Sequence, residues 1–172
     1  MSGIRPFLRW PDPRLKAVAA PVAAIDDAVR AIWSEMIAAM IAMPGVGLAA
    51  PQLGIGRALA VVDPSGSGAQ VIRMANPELL WASPEERAGT EASPNLPGVS
   101  AEIVRPVAAR IGYLDEHGER VETLLHELAA RSALHQIDHL AGRLYIDRLS
   151  ALKRSRLVER YRKQQRQAGR AR

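Results

Sequence analysis

The stretch Leu134-His135-Gln136-Ile137-Asp138-His139 places two imidazoles four residues apart. Apolar residues recur at helical spacing across residues 127–140, and Gly142 is typical of a helix end. Residues four apart share one face of a helix, so both histidines could bind a single metal ion. Packing in the core or at the surface is the alternative interpretation, because Gln136 occupies the place of the glutamate in an H-E-x-x-H motif.

Two more stretches carry distinctive residues. Gly45-Val46-Gly47-Leu48-Ala49-Ala50-Pro51-Gln52 follows a predicted helix that begins near Asp26 or Asp27, and its glycines allow close approach of a ligand. In Glu91-Ala92-Ser93-Pro94-Asn95-Leu96-Pro97-Gly98, two prolines within four residues predict a rigid segment outside any sheet ladder. Each stretch taken alone indicates only an ordered loop.

Predicted strands separate the first helix from the His135 helix, and this order of elements is typical of an α+β fold. A turn at residues 65–68 and a hairpin turn at residues 115–118 connect strands. A last helix is expected from about residue 150 to 167, with a frayed end beyond it. The predicted strands are residues 58–62, 71–74, 107–114 and 120–125.

Composition limits the function classes. The 172 residues suit one domain, and the absence of cysteine removes disulfides and thiolate ligands. No window approaches the roughly 18 apolar residues of a membrane span, and the first residues lack a secretory signal, so we expect a cytoplasmic protein without membrane partners. The net charge is +5, but residues 151–172 alone carry +8, so the C-terminus holds the basic character.

Together and in this order, the three stretches resemble the peptide deformylase family, whose pattern is G-x-G-x-A-A-x-Q, then E-G-C-L-S, then Q-H-E-x-D-H. The resemblance extends to Pro11-Asp12-Pro13-Arg14-Leu15 and to Gly142-Arg143-Leu144-Tyr145-Ile146-Asp147-Arg148-Leu149, and so covers nearly the whole chain. It implies an α+β fold with small antiparallel or mixed sheets around the motif helix. We expect a deformylase-like domain over residues 1–149 and a basic C-terminal helix over residues 150–172.

The resemblance also implies a chemistry. The family removes the formyl group from the N-terminal formyl-methionine of new polypeptides, with a divalent metal held by one cysteine and two histidines. By position, His135 and His139 match the histidine ligands, and Gln52 matches the glutamine that stabilises the oxyanion. The residues expected to contact substrate are Gly45, Val46, Gly47 and Glu91.

Three of the departures from the family pattern fall at catalytic positions, each in a different role. Ser93 stands at the cysteine ligand, and a neutral hydroxyl is a far poorer ligand for iron or zinc than a thiolate. Pro94 stands where a backbone N–H donates to the oxyanion, and proline has none. Gln136 replaces the proton-transferring glutamate, and an amide cannot take up a proton near neutral pH. We therefore expect no metal, or a weakly bound divalent iron, zinc or nickel ion.

Three functional hypotheses follow from these departures. The first is an inactive or very weak deformylase-like protein that retains binding of N-formyl-methionyl peptides or of the ribosome. The second is an active hydrolase in which Ser93 is a ligand or nucleophile and Glu91 is the base. The third is a ribosome- or RNA-associated protein that binds through its basic C-terminal helix.

Overall fold

A computed structural model describes residues 5–170, and within them three α-helices and seven strands form an α+β fold. The helices are α1 (Asp27–Ala42), α2 (Glu127–Leu140) and α3 (Ala151–Arg170). The strands are β1 (Gly47–Ala49), β2 (Leu59–Val62), β3 (Ile72–Ala82), β4 (Glu86–Ala92), β5 (Ser100–Pro106), β6 (Ala108–Leu114) and β7 (Arg120–His126).

The strands form two antiparallel sheets around α2. The larger has the order β1-β2-β3-β6-β7, and the smaller pairs β4 with β5. Helix α2 contacts all five strands of the larger sheet and also β5. The predicted arrangement of small sheets around the histidine helix is therefore confirmed. No helix within residues 5–170 is both long enough and apolar enough to cross a bilayer.

Helix α1 begins and ends where the sequence predicts. The Asp26 side chain accepts a hydrogen bond from the Val29 N–H at 2.8 Å, which satisfies one free donor of the first turn. Pro44 and Gly45 follow its end. Its buried face packs on β1 and β2 and consists of Val29, Trp33, Met36, Ala39 and Met40.

Helix α2 is buried over most of its length, so its position is fixed from several sides. Its chain leaves through Gly142, which has a positive φ of 70°. A Cβ at this position would lie 2.3 Å from the Lys16 carbonyl oxygen, so only glycine fits where the N-terminal segment passes. This close approach holds the histidine helix against the first residues of the domain.

Helix α3 is attached to the domain rather than free in solvent. Leu157 and Tyr161 are buried in a cluster with Leu15, Leu96 and Tyr145. The helix continues to Arg170, so the prediction of fraying from residue 168 was wrong for residues 168–170, while residues 171–172 lie outside the described part. The predicted boundary between a domain over residues 1–149 and a helix over residues 150–172 stays a prediction. In the structure, α3 packs against the rest of the domain.

The smaller sheet is the part that the sequence pattern did not predict. Strand β3 continues eight residues past Met74, the side chains of β4 are largely exposed, and β5 lacks a clean apolar alternation in its sequence. Glu91 and Ala92 pair with Ala101 and Ser100, so these two residues belong to a sheet. The segment predicted to lie outside any sheet therefore begins only at Ser93. One face of this sheet is buried through Glu91, Ile103 and Arg105, but two of these three side chains are charged, so burial leaves only a weak apolar pattern in the sequence.

Candidate active site

One cavity of about 370 Å³ brings together most of the predicted site residues. Three parts of the chain surround it: the segment from α1 into β1, the end of β4, and α2. His139 is buried behind His135 and does not line the cavity. The predicted site residues that line it are Gly45, Val46, Gly47, Gln52, Glu91, Ser93, Pro94, His135 and Gln136.

The two histidines of α2 meet as their spacing predicts. Their Nε2 atoms lie 3.1 Å apart, and His135 Nδ1 lies 2.9 Å from Glu91 Oε2. Burial, followed by the neighbouring positive charge of His135 and Arg105, lowers the pKa of His139 well below its usual value. His139 is therefore neutral, and its Nδ1 is buried without a partner among the described residues.

Five charged side chains next to the cavity form what we call the charged cluster: Glu91, Arg105, Arg131, Asp138 and Arg148. Arg105 is 1% exposed and donates two hydrogen bonds to Glu91, at 2.5 and 2.8 Å, and one to Asp138, at 2.9 Å. Arg131 donates to Glu91 at 2.9 Å, and Arg148 binds both oxygens of Asp138. Each buried carboxylate thus has at least two cationic partners, as burial of charge requires.

Glu91 is ionised and fully engaged. Burial alone would raise its pKa, but the hydrogen bonds and positive charge of Arg105 and His135 outweigh burial and lower the pKa to about 2. Each of its oxygens receives two hydrogen bonds, which uses the acceptor capacity of a carboxylate. Glu91 is therefore poorly suited to take up a proton from a bound water.

A second group without formal charge forms what we call the neutral wall. Gln52, Ser93, Pro94 and Gln136 line the cavity, and the fully buried Asn95 completes the wall behind them. Gln52 Nε2 donates to Asn95 Oδ1 at 2.9 Å and to Ser93 Oγ at 3.3 Å. Gln52 Oε1 accepts from the Ala49 N–H at 2.9 Å. Both amide hydrogens of Gln52 are therefore used in hydrogen bonds within the protein.

Asn95 holds this wall to the N-terminal segment. It is fully buried, its Oδ1 accepts from Ser93 Oγ at 3.0 Å, and its Nδ2 donates to the Leu8 carbonyl at 2.7 Å. The sequence interpretation quoted Asn95 but gave it no role, and it also missed Arg105 and Arg131. One signal was available in the sequence. Arg105 comes two residues after Ile103, so the two side chains share one strand face, and an arginine beside an apolar residue there could have indicated a buried charge.

The donor set does not fit the metal site that the resemblance implies. Two imidazoles converge, but Ser93 Oγ is already hydrogen-bonded to Gln52 and Asn95. Within residues 5–170, no three His, Cys, Asp or Glu side chains meet at metal-ligand spacing. Stable binding of iron or zinc ordinarily takes three protein ligands, and a neutral hydroxyl is a weak third one. Weak or absent metal binding stays a prediction.

Comparisons with known proteins agree with this fold. The family model described as polypeptide deformylase matches residues 4–155. A peptide deformylase of Methylocella silvestris is 41% identical over 93% of this chain and 84% of its own, and a peptide deformylase-like protein of Bradyrhizobium diazoefficiens is 40% identical over 95% of each. The crystal structure of a peptide deformylase from Legionella pneumophila superposes with a TM-score of 0.91 at 34% identity, covering 98% of this chain and 99% of the other. The chain therefore belongs to the peptide deformylase family.

Proposed function

We propose that this protein binds N-formyl-methionyl peptide ends in its cavity and hydrolyses them slowly or not at all. The family is metal-dependent and acts on such nascent peptides. The observation that carries the proposal is the neutral wall, which supplies no thiolate, no free carboxylate and no free oxyanion donor beside His135. Binding needs only the cavity, whereas hydrolysis needs groups that move protons and stabilise charge.

Proton transfer lacks a suitable group. Position 136 carries an amide, and general acid–base catalysis typically contributes about 10²–10⁴ in rate. Glu91 is the one carboxylate among the residues that line the cavity, and its four hydrogen bonds and low pKa disfavour it as a substitute base. The hypothesis of an active hydrolase with Glu91 as base therefore has no support from this geometry.

Stabilisation of a developing oxyanion is also weakened. Gln52 donates both amide hydrogens to Ser93 and Asn95, and Pro94 has no N–H to offer. Loss of one such donor typically costs about 10²–10³ in rate. These losses are not additive in general, but each affects a different part of the reaction.

Peptide binding is supported by what surrounds the cavity. β1 is an edge strand of the larger sheet, β4 pairs only with β5, and both line the cavity. Open strand edges offer backbone groups to an extended peptide. Apolar side chains beside them suit a methionine-like group, and these are Met43, Pro44, Val46 and Leu128.

Two measurements on purified protein test the proposal. We expect native protein to bind formyl-Met-Ala-Ser in a direct titration without consuming it. We expect the triple variant Ser93→Cys, Pro94→Leu, Gln136→Glu, supplied with ferrous iron under anaerobic conditions, to release formate from the same peptide. Absence of peptide binding by the native chain would contradict the proposal.

A second candidate function, attachment to the ribosome or another RNA surface, is favoured by α3. Its buried side chains face the domain, while seven of its exposed side chains are basic, including Arg156, Lys163 and Arg166. Removing α3 would also remove Leu157 and Tyr161 from the core, so the test uses charge reversal. Cosedimentation with ribosomes should be lost in the variant Arg156→Glu, Lys163→Glu, Arg166→Glu; unchanged cosedimentation would argue against this role.

A further inference from the structure

The side chain of Gln136 is an unusual feature of the cavity. It is 4% exposed, and its Oε1 atom is buried without a hydrogen-bond partner among the described residues. Such buried, unpartnered acceptors are rare in folded proteins because they lose water without gaining another donor. A residue that destabilises the free protein in this way is often retained for function.

The neighbouring hydroxyl of Ser132 is not free to satisfy Gln136. The Ser132 hydroxyl donates to the Val46 carbonyl at 3.0 Å. Gly47 has no side chain, and a Cβ there would lie 2.8 Å from Gln136 Nε2, so glycine keeps this space open. The terminal torsion of a glutamine is broad and roughly two-fold, so a half-turn about it exchanges Oε1 with Nε2 and presents Oε1 to a group in the cavity. A ligand that enters the cavity can supply the missing donor.

The charges around the cavity restrict which donor fits. Glu91 is saturated by Arg105, Arg131 and His135, so no free carboxylate is available to meet an ammonium group. Arg131 itself lines the cavity and adds positive charge. Transfer of an unpaired ammonium into such a site is strongly unfavourable, whereas an uncharged amide N–H needs only one acceptor. The site is matched to an amide.

We propose that Gln136 Oε1 accepts a hydrogen bond from the amide N–H of an N-acylated peptide end, and that Gln136 thereby makes the site selective against free amines. The inference rests on the proposed function, since it assumes that the cavity binds peptide ends. In a formylated peptide the terminal nitrogen is an amide N–H, and after deformylation the same nitrogen is an ammonium. Gln136 would then recognise the peptide end at a position where it cannot transfer a proton.

The test compares formyl-Met-Ala-Ser with Met-Ala-Ser in direct titrations near neutral pH, with EDTA present to prevent turnover. Native protein should bind the formylated peptide at least roughly tenfold more tightly. The apolar variant Gln136→Leu should weaken formyl-peptide binding by about 3- to 10-fold, the effect of one hydrogen bond. The variant Gln136→Glu should shift the preference toward the free amine, because a carboxylate attracts an ammonium. The control Ser132→Ala leaves Gln136 in place and should keep the native preference.

Thermal melting separates this role from a purely structural one. Because leucine removes an unpartnered buried amide, Gln136→Leu should raise the Tm of the free protein by about 2–4 °C while it lowers peptide affinity. Equal affinity of native protein for the two peptides, or unchanged formyl-peptide affinity in Gln136→Leu, would overturn the inference and leave the proposed function standing. Failure of native protein to bind either peptide would overturn both.

Discussion

The charged cluster and the neutral wall meet at one cavity and are stabilised in opposite ways. In the charged cluster, Glu91 and Asp138 are buried but paired with arginines from β5, α2 and the segment after α2. In the neutral wall, amide and hydroxyl groups bond to one another. The difference teaches that the carboxylates of this site are held by arginine partners and serve the fold, while positions 93, 94 and 136 offer a ligand only uncharged groups.

The largest effect is expected where the charged cluster is broken. Arg105→Met should lower the free energy of unfolding by about 3–5 kcal/mol, because it leaves two buried carboxylates short of a partner. Arg87→Met is the control, since Arg87 pairs on the surface and should cost less than about 1 kcal/mol. Denaturant unfolding of both variants measures the contrast, and equal losses would contradict a special role for the buried arginine.

The neutral wall should be the second most sensitive region. Asn95→Ala removes the acceptor of Gln52 and Ser93 and the donor to Leu8, and should cost about 2–3 kcal/mol. Gln165→Ala on the exposed side of α3 is a matched amide control with little expected effect. A loss for Asn95→Ala no larger than the control value, measured by denaturant unfolding, would show that the hydrogen-bonded wall contributes nothing.

A smaller, pH-dependent effect is expected at Asp147, which joins the N-terminal segment to α3. Burial would raise its pKa, but hydrogen bonds from the Leu144 N–H and Lys16, with the charges of Lys16 and Arg154, lower the pKa below 3.8. Because the folded pKa is lowered, the ionised group stabilises the fold at neutral pH, and this contribution is lost as pH falls through the folded pKa.

Asp147→Asn should therefore destabilise the protein by about 1 kcal/mol at neutral pH. The difference from the native protein should shrink as the pH falls below 3.8. Melting curves of both proteins between neutral pH and about pH 3 measure this difference. A gap that widens toward acid would contradict the assigned sign.

The same contrast explains what the sequence could predict. Helices α1 and α2 and the β6–β7 hairpin are set by local apolar spacing and capping residues such as Asp26, so they were predicted near their true bounds. The family resemblance supplied the site residues that line the cavity. Strands β4 and β5 were not predicted because their sequences carry little apolar alternation, even where Glu91 and Arg105 are buried.

The long-range partners in the site could not be found from local patterns. Asn95 binds Leu8 across 87 positions of the chain, and Glu91 binds His135 across 44. Nothing near Asn95 in the sequence distinguishes a buried asparagine from a turn asparagine. The hydrogen bonds that occupy both amide hydrogens of Gln52 and all acceptor sites of Glu91 can therefore be seen only in the folded chain.

The central claim is that uncharged groups at positions 93, 94 and 136 leave the site unable to deformylate efficiently. Formate release by the native protein tests this claim most directly. The protein should be reconstituted with ferrous iron without oxygen and supplied with formyl-Met-Ala-Ser, and a His135→Ala preparation, purified in parallel, sets the level of contaminating host enzyme. We predict formate from the native protein at, or barely above, that level. Iron bound in equal amount to the protein, with turnover at the rate of an ordinary deformylase, would contradict the account.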